Sequence, residues 1–135
     1  MEKLSESDLV QLSQSFLGAA HALSDFLFNE WDSLKPAVRA RLNSMHTTLT
    51  MVATDLITHA VGVTLDDSQT SLAQLISVTS AAQQAFAKIK SFKNAIKVAT
   101  ALIALATAIS TGDAPHILVA VTGLTGQLES SEDGA

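Results

Sequence analysis

The chain has no cysteine, no tyrosine, a single tryptophan and little charge of either sign. Without cysteine there are no disulfides, no thiolate metal sites and no cysteine nucleophile, and the redox compartment stays open. Charged residues make up 16% of the 135 positions, against about 25% in an average soluble domain. From Leu42 to Ala87 the only charges are Asp55, Asp66 and Asp67. Ser, Thr and Gln fill positions that a water-facing surface usually gives to charge. That pattern implies covered surface: by a partner, by copies of the chain, or by lipid. Eight basic residues against thirteen acidic ones give a net charge of −5, which argues against nucleic acid as the main partner. The sequence contains no Gly-rich phosphate loop, no G-x-S-x-G elbow and no H-E-x-x-H. No serine or threonine stands beside an evident base, so a non-enzyme without cofactor is expected. The opening MEKLSESDLVQ lacks the basic-then-apolar order of a signal peptide. A cytoplasmic product is therefore expected, with export by another route left open. No window reaches the ~18 uninterrupted apolar residues of a spanning helix.

What is present is helical periodicity around an uncharged C-terminal stretch. Between Lys97 and Glu129 the only charge is Asp113, which with Gly112 separates two apolar arms, Val98–Thr111 and Ala114–Leu128. Each arm of about 14 residues spans roughly 21 Å as a helix, short of a bilayer's hydrocarbon core.

Before this hairpin, Leu9, Leu12, Phe16, Ala19, Leu23 and Phe26 recur three and four apart, with Val10, Leu17, Ala20, Leu27 and Trp31 in a second row. Such a stripe suits a helix with two neighbours, capped by Ser5 or Ser7 after a frayed start over residues 1–4. A turn at 32–36 leads to a second helix from about Pro36 to Ala60. There Val38, Leu42, Met45, Leu49, Val52 and Leu56 form a heptad seam, closed by Gly62. Asp66 and Gln69 read as a capping box for a third helix with the seam Leu72, Leu75, Thr79, Ala82, Phe86 and Ile89. The phase then shifts to Phe92, Ile96, Ala99, Ile103 and Ala106, which predicts a break at 90–92 with Ser91 as the new cap. The fourth helix, about 92–110, is apolar nearly all round beyond Lys97 and is expected to be buried on every side. Asp113 caps a short fifth helix, and residues 129–135 form a disordered acidic tail. The fold class expected is all-α: a single domain over 1–128, an antiparallel four-helix bundle with a short fifth helix, the fourth most buried.

The candidate sites are few. His21 with Asp25, and Asp55 with His59, sit four apart on helix faces, and a hairpin of the first two helices brings His21 and His46 to one height. Two histidines and a carboxylate suit zinc or iron. The E-x-x-H pattern of di-iron bundles is absent, however, so ordinary surface pairs are the expectation and no metal site is assigned. Lys88, Lys90, Lys93 and Lys97 are half of all basic residues within ten positions. They suit a solvated helix junction, their stems covering apolar surface, or else an anchor at an anionic membrane.

The leading functional expectation is a non-catalytic interaction or assembly protein, a homo-oligomer or the binder of a partner helix. Its candidate residues are the four lysines with Phe92, Ile103, Leu105, Ile117 and Val121. The alternatives are a membrane-active, pore-forming protein that inserts the hairpin 92–128, with an arrangement reminiscent of helical pore-formers as architecture alone, and a carrier of a small apolar ligand.

Overall fold

A computed structural model describes residues 2–59, 64–65 and 71–134 of the chain, with side chains over 3–58 and 71–129. The fold is all-helical. Five long helices follow in order: α1 (Glu6–Asn29), α2 (Pro36–His59), α3 (Leu72–Lys88), α4 (Phe92–Thr111) and α5 (Ala114–Gly134), with a 3-10 turn at Trp31–Ser33 between the first two.

Each boundary has a local cause. Ser5 opens α1 through a reciprocal capping box: its hydroxyl accepts from the Asp8 N–H at 3.1 Å, and its own N–H donates to Asp8 Oδ2 at 3.0 Å. Ser71 and Gln74 do the same for α3, so this helix starts at Leu72. The expected cap at Asp66 and Gln69, and the closing Gly62, lie outside the described residues. The break before α4 falls where the apolar phase shifts, with Ile89 extended and its N–H bonded to the Ala85 carbonyl. Ser91 precedes α4 but makes no side-chain cap, so its expected capping role is corrected. Gly112 closes α4 in the left-handed conformation, φ 75°, its N–H shared between the Ala108 and Ile109 carbonyls.

The first three helices run up, down and up. Ser13 Oγ donates to the Ala53 carbonyl at 2.7 Å, and Arg39 Nε to the Trp31 carbonyl at 2.7 Å. Numbers that fall on α2 as they rise on α1 make these two helices antiparallel. On α3 the Gln83 amide lies over Gly18, where a Cβ would come within 2.8 Å of it, and Ile89 shares a cleft with Asn29 and Glu30. Numbers that rise together make α1 and α3 parallel. A two-residue antiparallel pairing, Glu2 with Leu65 and Lys3 with Thr64, ties the start of the chain beside the approach to α3. Leu4 is buried behind it, so the frayed start expected over residues 1–4 is corrected over 2–4.

The hairpin of α4 and α5 completes the core. α4 packs on α2 and on α5, α5 reaches α3, and α3 barely touches the α4 that follows it. The core unites Leu9, Phe16, Leu42, Leu75, Phe86 and Leu102 with residues of every helix. Eight of the twenty residues of α4 are buried against nine of twenty-four in α1, so the uncharged stretch does sit in the core. It is not enclosed on every side: Lys93, Lys97, Thr100, Ala104, Thr107 and Thr111 are exposed in a 4-3-4-3-4 stripe. Of these, Lys93, Thr100 and Thr107 are positions that the α3 heptad would have turned inward, and the phase shift turns them out. The fifth helix is not short. It runs 21 residues to Gly134, with no proline after Pro115 to interrupt it. The disordered tail expected from residue 129 is thereby corrected over 129–134.

Candidate interaction surface

The four clustered lysines lie where α3 ends and α4 begins. All are exposed, and none pairs with a described carboxylate. The turn between α1 and α2 stands at the same end, because Asn29 and Glu30 share the cleft with Phe86 and Ile89. This cleft has a volume of about 240 Å³, floored by the nearly buried Phe26 and Phe86 and rimmed by Asp25 and Glu30. That is below the ~300 Å³ at which drug-sized ligand sites begin.

Along the sides of the molecule the outward residues are uncharged. On α2 they are Ala40, Ser44, Thr47, Met51, Thr54 and Thr58, again spaced 4-3-4-3-4, flanked by Arg41 at one end and Asp55 at the other. On α4 the stripe continues past its lysines as Thr100, Ala104, Thr107 and Thr111. The threonines turn their hydroxyls inward. Thr54 Oγ1 donates to the Thr50 carbonyl at 2.9 Å, Thr100 to Ile96 at 2.8 Å and Thr107 to Ile103 at 2.8 Å. A back-bonded threonine has spent its one donor on its own helix, and the surface it offers is less polar than its composition suggests. On α5, Val119 is 68% exposed. Gly123 and Gly126 beside it have nothing within 4 Å of where a Cβ would stand.

The hairpin residues expected to meet a partner divide into two groups. Leu105 and Ile117 are fully buried in the core, so the folded chain offers neither to a partner, and that expectation is corrected. Phe92, Ile103 and Val121 are half-buried, packed against the core at its margin. Among the described residues the large exposed apolar side chains are Phe28 at 75%, Trp31 at 43% and Met51 at 57%, with Val119 and Val10. Trp31 and Val10 belong to the second row expected to be buried on α1. Periodicity places both on an apolar flank, but α2 and α3 cover only its centre. Phe28 and Met51 lie outside every row, and an isolated apolar residue on an otherwise polar face was their sole signal.

Two of the described histidines stand beside a carboxylate on their own helix end or face. His21 Nε2 stands 3.7 Å from Asp25 Oδ2, both largely exposed, and His116 Nδ1 is 2.7 Å from Asp113 Oδ2 at the start of α5. Among the described residues no three His, Asp or Glu side chains gather as metal ligands. The side chain of His59 lies outside the described residues. Compared with protein-family models, with curated proteins and with solved structures, the chain finds no match.

Proposed function

We propose that the protein is a non-catalytic assembly module that associates side by side with copies of itself or with a partner helix. In this reading consecutive helices reverse direction, as in an antiparallel bundle, so α2, α4 and α5 present their outward stripes on one continuous side. The observation that carries it is the uncharged outer surface of α2 and of α4 beyond Lys97: mostly small residues at helical spacing, several with inward-bonded hydroxyls. Such a surface is weakly hydrated, it is flat enough for close helix approach, and it lacks the like charges that keep monomers apart. Sedimentation equilibrium of the full chain tests the reading. A mass that rises with concentration supports it; a monomer at every concentration, with no helical partner recovered, removes it.

The alternative is membrane insertion through the hairpin 92–128. In its favour, α4 is long and apolar enough to cross a bilayer, with a mean hydropathy of 1.5. Against it, Leu102, Leu105 and Ile109 are wholly buried, so insertion of α4 dismantles the core, whereas lateral association leaves the core intact. Dye release from liposomes distinguishes the two.

A further inference from the structure

Charge is nearly absent from the sides of the molecule because it is collected at the ends. Lys35, Arg39 and Arg41 stand at the head of α2, and Lys88, Lys90, Lys93 and Lys97 surround the turn between α3 and α4. The cleft that joins the end of α1 to the end of α3 puts these two groups at one pole. Seven of the chain's eight Lys and Arg residues are therefore together, with the carboxylates Asp25, Glu30 and Asp32 and the acidic end of α5, Glu129, Glu132 and Asp133, which runs back from Gly112 toward this pole; among the described side chains none of these carboxylates pairs with the seven. The eighth, Lys3, is at the opposite pole beside Thr64, in the company of Glu6, Asp8 and Asp55. Helices of twenty or more residues hold the poles roughly 30 Å apart, several times the ~8 Å screening length of physiological salt. A partner at one pole does not sense the other.

The same pole carries both of the chain's exposed aromatic side chains. Phe28 is 75% exposed on the last turn of α1, and Trp31 is 43% exposed with the Arg39 guanidinium 4.8 Å from its ring centroid. The other four aromatics, Phe16, Phe26, Phe86 and Phe92, are buried or half-buried. Aromatic side chains among basic ones suit the boundary between headgroup and acyl chain, where rings sit at the interface and cations meet anionic headgroups.

We infer that this basic, aromatic pole is a docking site for an anionic phospholipid surface, which it meets end-on without insertion of α4. A plane of anionic headgroups meets the seven cations of this pole and leaves the opposite pole, with Glu6, Asp8 and Asp55, in water. Phe28, with no polar edge, gains only from an apolar environment.

The test uses the full chain and vesicles of phosphatidylcholine, with and without phosphatidylserine. Binding is expected only to the phosphatidylserine vesicles, weakening as salt is raised. The emission of Trp31, the only tryptophan, moves to shorter wavelength on binding. Lys90→Gln with Lys93→Gln, at exposed positions with no carboxylate partner among the described residues, lowers affinity about thirty-fold at unchanged helicity, while Lys3→Gln at the other pole leaves it unaltered. Phe28→Ser weakens binding but keeps its salt dependence. Equal binding to both vesicles, no binding, or binding with Trp31 emission unmoved overturns the inference. So does capture of single-stranded oligothymidylate in preference to vesicles, which assigns the pole to nucleic acid instead.

Discussion

Two serines show how differently one hydroxyl behaves in this core. Ser13 is buried at 3% exposure and bonds across helices to the Ala53 carbonyl at 2.7 Å. Ser110 Oγ is buried with no partner among the described residues. A made bond contributes about 1 kcal/mol net, whereas a buried polar atom without one costs about 1–3 kcal/mol. Ser13→Ala is therefore expected to lower stability by about 1 kcal/mol, and Ser110→Ala to raise it by a comparable amount, both read from urea midpoints at unchanged slope. Equal effects of the same sign would mean that Ser110 has found a partner. Gly112 is the third informative residue, the only described one with positive φ. An alanine there meets the left-handed penalty of roughly 1–2 kcal/mol at the hinge of the α4–α5 hairpin. Gly112→Ala should lower the midpoint accordingly, and an unchanged midpoint would show that the turn relaxes into another conformation.

At the scale of elements, the glycines of α5 pose a question that the monomer does not answer. Gly123 and Gly126 lie in a helix interior with open space above them, where each costs about 1 kcal/mol relative to alanine. Replacing both with alanine should stabilise the isolated chain by about 2 kcal/mol. If the exposed side of α5 is a close-packed interface, as lateral assembly proposes, the same variant associates less, because two methyl groups hold the neighbouring backbone away. Stability up with association down supports that interface; stability up with association unchanged moves the contact elsewhere. The seams on α1 and α3 were legible in the sequence, since Leu9 to Phe26 and Leu72 to Ile89 keep their spacing and are all buried. So were a break near 90–92, from the phase shift, which the structure places at 89–91, and the turn at Gly112. The burial of α4 was only half legible. Composition marks its residues as apolar, but no single helix reveals which neighbours flank it, and the α2–α4 contact that leaves Thr100, Ala104 and Thr107 outside is a property of the assembled core. The length of α5 was missed because polar residues at a C-terminus read equally as tail or as helix.

At the scale of the molecule, the lysine cluster could be read from sequence but the positive pole could not. Lys35, Arg39 and Arg41 lie some fifty residues from Lys88, and only the parallel course of α1 and α3 brings them to one end. If end-on docking and lateral assembly both operate, poles and sides divide the labour: a pole for an anionic plane, and uncharged sides for neighbours standing on the same plane. The two contacts should respond oppositely to ionic strength, since screening weakens the first and the second has no charges to screen. A chain without cysteine permits a clean test of the second. Thr107→Cys places one thiol midway along the outward stripe of α4, and Ser7→Cys places one on exposed α1 at the acidic pole. Under mild oxidation Thr107→Cys is expected to form disulfide-linked dimers at a rate indifferent to salt and raised by phosphatidylserine vesicles, which concentrate the docked chains, while Ser7→Cys stays monomeric. Equal dimer yields from the two variants would show random collision rather than an α4 face. Loss of Thr107→Cys dimers with rising salt in the absence of vesicles would show that the association runs through the charged poles, head to tail, and not through the sides.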